Sequence, residues 1–539
     1  TTYTASGNKG NALPPAGSSS SLCLSCHDGT IAPGTTVAYG TFSTSAKMQD
    51  VFGSNMQSTH PFSMLLPLRD APHLVSTLTT TGQTADVTGA VKLISGNVEC
   101  TSCHNPHQQS IDRTVPAFLV RDSSGGQLCL SCHDPNRITS NQTNPLAQWP
   151  TSIHATAPNA TTNQPSVGGY NTVAQNACSA CHAEHNGSGL TELLRGANEQ
   201  DCISCHNGGT NVTPAAPNVF AEFSKAGALP GTAHPFPSGT NTHDASEPAL
   251  LNQNRHATCA DCHNPHASRQ VATFPVPPAI RASQNLVSGI NATDGITVLN
   301  PAVNQYENCL RCHGTSTGKV ASISYGYQPT RMSVGGDPLN VSLQLNSGTY
   351  PPSSHPVMHT RNSPYSQPSL LTNMLKIDGV SLGRAMGTQI LCTDCHNSDD
   401  NREFGGVGSN GPHGSAFSHI LERRYEFSQA PAPGQQVTNL FPSPDLSAKG
   451  PYGLCAKCHN MTNIVSDASF NQHSRHINRG FSCSACHAAH GTGGQSSWER
   501  LVSFDLNVVA PSVQGQTPLP ITYSKATNSC TLTCHNHKH

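Results

Sequence analysis

All 22 cysteines of the 539-residue sequence fall in Cys-x-x-Cys-His motifs, the last of them lengthened by one residue. In chain order, motifs 1 to 4 are Cys23/Cys26/His27, Cys100/Cys103/His104, Cys129/Cys132/His133 and Cys178/Cys181/His182. Motifs 5 to 8 are Cys202/Cys205/His206, Cys259/Cys262/His263, Cys309/Cys312/His313 and Cys392/Cys395/His396. Motifs 9 to 11 are Cys455/Cys458/His459, Cys483/Cys486/His487 and Cys530/Cys534/His535, the last reading Cys-Thr-Leu-Thr-Cys-His. No cysteine remains for a disulfide or a nucleophile. Two thiols one helical turn apart can form thioethers with the two vinyl groups on one edge of a haem, and the adjacent His then presents its imidazole to the iron. A zinc ribbon needs paired knuckles but no obligatory His, and a thioredoxin-type pair occurs once, in a βαβ context. Eleven motifs, each closed by His, imply eleven covalently attached c-type haems.

Each iron has a sixth position. Of the 29 histidines, eleven stand in the motifs, leaving eighteen. His107, His185, His266 and His490 each lie three residues past a motif His. Residues i and i+3 share one helix face, so the two imidazoles cannot grip one iron from opposite sides. The second His is therefore expected to ligate a neighbouring haem. His60, His234 and His355 recur in His-Pro elements, and His154, His256, His413 and His476 complete the expected distal set. His413 sits in Gly-Pro-His-Gly, as though an Asn-Pro-His element had been split by an insertion, and His473 competes with His476. His73, His243, His359, His419, His537 and His539 read as structural, although a terminal His could ligate. The eight Met show no registered pattern, so uniform bis-His ligation and low potentials are expected.

The elements that position these groups must be small. There are about 49 residues per motif, too few for an apolar core between porphyrins. With 46 Gly, 40 Pro and 5% aromatics, the sequence predicts irregular coil with short helices and small β-hairpins. These would wrap a continuous chain of covalently bound haems, the porphyrins serving as the core. Val320 to Tyr327 and Asn340 to Leu345 alternate in polarity and read as hairpins. A degenerate repeat runs through the chain. His60-Pro-Phe precedes Glu-Cys-Thr-Ser-Cys-His-Asn-Pro-His (99–107) and Leu-Cys-Leu-Ser-Cys-His (128–133). His234-Pro-Phe precedes Thr-Cys-Ala-Asp-Cys-His-Asn-Pro-His (258–266) and Asn-Cys-Leu-Arg-Cys-His (308–313). One elongated body over 1–539 is expected, with quasi-repeats 55–133, 134–233, 234–313, 350–460 and 461–539.

Only 11% of residues are charged, against about 25% in a typical soluble domain, and the formal charge of −2 gives no basic footprint for nucleic acid. No apolar run of about 18 residues marks a membrane span. Covalent haem attachment takes place outside the cytoplasmic membrane, and a first residue of Thr fits a signal peptide already removed. An extracellular or outer-surface location is expected, with the periplasm as the alternative.

The Cys-x-x-Cys-His-Asn-Pro-His units, the His-Pro-Phe elements and the Cys-Thr-Leu-Thr-Cys-His end resemble the extracellular multihaem cytochromes of metal-respiring bacteria, some of which polymerise into nanowires. The resemblance covers the motifs over the whole length, not the stretches between them. It implies bis-His haems in alternating parallel-stacked and T-shaped pairs, and long-range extracellular electron transfer. The expected partners are further copies of the chain joined head to tail, other redox cytochromes and extracellular acceptors. A monomeric cell-surface terminal reductase is the alternative. A nitrite- or hydroxylamine-type enzyme needs an open iron, often marked by Lys in place of the motif His, and every motif here ends in His. An electron-transfer protein rather than an enzyme is the reading.

Overall fold

The computed structural model describes residues 18–27, 35–36, 40–41, 59–65, 73–80, 83–107, 118–136, 144, 146–157, 160–161, 170–187, 193–196, 199–209, 212–213, 215–225, 232–234, 257–270, 275–314, 329–332, 340–345, 353–360, 369–371, 373–374, 384–385, 388–426, 450–479, 481–492, 500–524, 526–534 and 537–538. Elements are short throughout these residues. The longest described helix, Ser18–His27, has ten residues, and the strands pair in small antiparallel ladders. Irregular backbone joins them. No described helix is long and apolar enough to cross a membrane.

The motifs build their own turns. In motifs 2, 6 and 8 the residue before the second cysteine accepts a backbone hydrogen bond from the residue before the first. The Glu99 N–H donates to Ser102 Oγ at 3.0 Å, Thr258 N–H to Asp261 Oδ2 at 2.8 Å and Leu391 N–H to Asp394 Oδ2 at 2.8 Å. This is the reach-back half of a capping box, and it satisfies a donor that the helix start leaves orphaned. At the other end the motif His N–H donates to the carbonyl of the first cysteine, at 2.9 Å for His104 on Cys100, His182 on Cys178 and His396 on Cys392. The two sulfurs are thereby held one turn apart, with the His leaving the turn behind them. In motifs 3, 5, 7 and 9 the helix starts before the cysteine, at Gln127–Leu130, Gln200–His206, Gln305–His313 and Gly453–Ala456. Motif 11 differs: Cys530 lies in the strand Ser529–Thr531 and Cys534 in the strand Thr533–Cys534.

Apolar packing is correspondingly scattered. The largest described cluster gathers eight buried residues near the C-terminus, including Val502, Phe504, Val508 and Leu532, with Phe481, Cys486 and Cys530 packed on it. The other described clusters hold two or three buried residues each, such as Val75 with Leu78, and Tyr452 with Met461 and Ile477. Polar anchors tie segments distant in sequence. Arg281 makes two bonds to Glu403, at 2.7 and 2.8 Å, and buried Lys457 pairs with buried Glu422 at 2.9 Å.

One expected hairpin is corrected. Residues 341–345 form the helix Val341–Leu345. A five-residue alternation cannot separate period 2 from period 3.6, and Val341 and Leu345, four apart, share the face packed against Val357 and Ile390. The other expected hairpin, 320–327, lies outside the described residues.

Candidate haem centres

The motif sulfurs meet in the order of the sequence. Motifs 1 and 2 join where the Cys23 and Cys100 side chains hydrogen-bond, as the helix Ser18–His27 packs on the turn Cys100–Cys103. The same kind of junction, first cysteine to first cysteine, joins Cys129 to Cys178, Cys202 to Cys259, Cys309 to Cys392 and Cys455 to Cys483. The intervening junctions use the second cysteine of the even motif. Cys103 faces Cys132, Cys181 faces Cys202 and Cys205, and Cys262 faces Cys309 and Cys312. Cys395 then faces Cys458, and Cys486 faces Cys530 and Cys534. All eleven motifs therefore form one file with two alternating kinds of junction.

A return segment fixes the motif His of the even motifs. Leu119, Leu194, Leu421 and Val502 form β-bridges to His104, His182, His396 and His487. The next residue in each donates its N–H to the second cysteine's carbonyl: Val120 to Cys103 at 2.9 Å, Arg195 to Cys181 at 2.8 Å, Glu422 to Cys395 at 2.9 Å and Ser503 to Cys486 at 2.9 Å. The residue before each bridge, Phe118, Leu193, Ile420 or Leu501, has a positive φ between 52° and 60°. Bulky residues avoid this region, and they hold it only where the surroundings over-determine it. The sequence reading missed this device. Its signal was the recurrent apolar pair in Phe118-Leu119, Leu193-Leu194, Ile420-Leu421 and Leu501-Val502, at a variable distance after each even motif.

Across from nine motif histidines stands a second imidazole. A first-row metal lies about 2.0–2.1 Å from an imidazole nitrogen, and the ring centroid about 1.1 Å further, so two trans ligands have centroids about 6.2–6.4 Å apart. The observed spacings are 6.3 Å for His60 with His133, 5.9 Å for His185 with His104 and 6.1 Å for His266 with His182. His154 and His206 are 6.4 Å apart, His413 and His263 6.1 Å, and His234 and His313 6.3 Å. His355 and His459 follow at 6.5 Å, His490 and His396 at 6.0 Å, and His473 and His487 at 6.4 Å. Each of the three described rings that follow their own motif by three residues and are paired here thus faces a His two motifs upstream.

The donor chemistry fits iron. Nδ1 of His154 bonds the Pro265 carbonyl at 3.0 Å, that of His263 the Ser283 carbonyl at 2.9 Å, and that of His396 the His419 carbonyl at 2.8 Å. Nδ1 of His234 and His487 bond Pro412 O at 2.6 Å and Arg500 O at 3.0 Å. A carbonyl partner holds the proton on Nδ1 and leaves the Nε2 lone pair for a metal, the arrangement that orients metal-bound histidines.

Electrostatics agree with a neutral, iron-binding imidazole. Burial, reinforced by neighbouring histidines, pushes His133, His413 and His490 down to about 3, and His185, His459 and His487 to about 4. Only the neutral ring ligates a metal. Burial pushes the thiols of Cys103, Cys181, Cys395 and Cys486 up to about 12. That disfavours the thiolates a zinc site requires, whereas a thioether sulfur is neutral. One place brings three donors together, Glu199 with Cys202 and Cys259, but the two cysteines belong to different motifs, each with its own partner.

The depressed histidines set the acid response. Between the ordinary 6.5 and about 3, the unfolded chain binds protons that the folded one refuses. Stability is thus fully present above 6.5 and falls as the pH drops towards 3. Denaturant midpoints of the haem-loaded protein should be lower at pH 4 than at pH 7, and equal midpoints would contradict this.

Some expected ligands stand elsewhere. The ring opposite His487 is His473 rather than His476, which packs edge-on to Phe481 at 5.7 Å. Both sit on the helix His473–Ile477, one turn apart, which is why spacing alone did not separate them. His73, read as structural, lies parallel to His133 at 5.3 Å, closer than two trans ligands stand. His419 lends its carbonyl to His396, and His359 Nε2 lies 2.7 Å from Ser354 Oγ. His27 and His107 are exposed at the start of the file. His256 and His535 lie outside the described residues, as does the side chain of Cys26.

A family model for the doubled CXXCH motif matches residues 94–138, which hold motifs 2 and 3. That motif pair binds c-type haem. The match supports a multihaem c-type cytochrome. No curated protein and no solved structure matches the chain. For such a cytochrome the mass of the acid-denatured protein should exceed the 56.6 kDa polypeptide by the covalently held haems. Eleven are expected; ten would implicate Cys530 and Cys534, and none would contradict the cytochrome.

Proposed function

We propose that the chain carries electrons over long distances outside the cell, through eleven c-type haems each held between two histidines. The observation that carries this reading is the single file of motifs in sequence order, in which every motif touches the next. Bound haem would supply a one-electron carrier at each station, and the polypeptide's work is to space, orient and close those stations. Two imidazoles on one iron leave no open position for substrate, which favours transfer over catalysis. The two alternating kinds of junction match the alternation of parallel and T-shaped haem pairs that the resemblance implies.

The working form is a head-to-tail homopolymer whose file continues across subunits, with other redox cytochromes and extracellular acceptors at its ends. A surface of low charge offers little repulsion to self-association, and a heterologous contact that does not close gives a filament. Electron microscopy of the purified haem-loaded protein tests this. Filaments are expected. Isolated particles at every concentration would reject the polymer and favour a monomeric terminal reductase.

A further inference from the structure

The second histidines come in adjacent pairs. His60 donates its backbone N–H to Glu184 O beside His185, and His234 donates its own to His413 O at 3.2 Å. His355 is tied in the same way to His490, at 3.1 Å. The two members of a pair always face consecutive motifs, the later motif taking the member that lies earlier in the chain. His60 and His185 face motifs 3 and 2, His234 and His413 face 7 and 6, and His355 and His490 face 9 and 8. His154 bonds Pro265 beside His266, and this pair faces motifs 5 and 4. Motifs 10 and 11 remain to be served by a fifth pair.

On the helix His473–Ile477, two histidines stand i and i+3, as neighbours on one face. His473 faces His487 of motif 10 at 6.4 Å. His476 spends its Nδ1 on Gln472 O at 2.7 Å, which leaves Nε2 to bind. Its ring lies 5.7 Å from Phe481, which packs in the same cluster as Cys530 and Cys534 of motif 11. We infer that His476 is the sixth ligand of the iron held by His535. The fifth pair is compressed onto one helical turn, and it keeps the rule of adjacent imidazoles for consecutive irons. This rests on the bis-His reading above.

The test is the spin state of the ferric haem-loaded protein. His476→Ala should convert one haem in eleven to the high-spin form, read by electron paramagnetic resonance and by cyanide binding. The same substitution in a chain carrying Cys530→Ser and Cys534→Ser should leave all ten remaining haems low-spin, because its client is gone. His476→Met should keep that haem low-spin, add a methionine–iron charge-transfer band and raise one potential, which keeps the test open if the alanine variant fails to fold. Eleven low-spin haems in His476→Ala, a high-spin signal that persists in the ten-haem background, or a Met variant without the new band would overturn the assignment. A wild-type protein without low-spin bis-His haems would instead overturn the reading beneath it.

Discussion

Deprived of haem, the chain should not fold. Produced without the attachment machinery, or with the motif cysteines changed to Ser, it should show the circular dichroism of an unfolded polypeptide and rapid amide exchange throughout. The reason lies in the distribution of apolar contacts. The largest described cluster has eight buried residues and the others two or three, spread along a chain whose helices stop at ten residues. Isolated helices shorter than about 12–15 residues are marginal in water, and two-stranded ladders are no better. Ordering each residue's backbone costs about 1–2 kcal/mol, and clusters this small cannot offset it. The junctions also bring sulfur to sulfur and imidazole to imidazole across a space that only a bound group fills. A cooperative thermal transition in the haem-free chain would contradict this.

Removing one interior station should interrupt the whole path. Replacing Cys259 and Cys262 with Ser deletes the sixth haem, and electron transfer between the two halves should then fall by orders of magnitude. Each motif sulfur meets only its neighbours in sequence, Cys259 with Cys202 and Cys262 with Cys309 and Cys312, so no bypass exists among these junctions. Replacing Cys530 and Cys534 removes an end instead, and should shorten the path without breaking it. Pulse radiolysis of the two variants, with the remaining haems verified as low-spin, separates these outcomes. Equal rates would mean a branched arrangement.

The motifs were legible in the sequence because covalent attachment demands two thiols and an imidazole at fixed offsets. The second imidazoles were partly legible. His185, His266 and His490 carry their position beside a motif, and His60, His234 and His355 are marked by the following Pro. His413 stood out despite its displaced site. Which iron each one faces was not legible, since it depends on how motifs far apart in sequence are laid side by side. The left-handed residues Phe118, Leu193, Ile420 and Leu501 were invisible for a related reason: their types disfavour that conformation, and tertiary context imposes it. The helix Val341–Leu345 shows the same limit in a short segment, where packing on Ile390 rather than local alternation chose the period.

The most direct measurement is an experimental map of iron positions in the haem-loaded protein, by anomalous scattering or electron cryomicroscopy. The account predicts eleven irons in single file, in the order of the motif histidines from His27 to His535, with neighbouring porphyrins in van der Waals contact at about 3.5–4 Å. A consecutive pair separated by polypeptide, or a file out of sequence order, would contradict it.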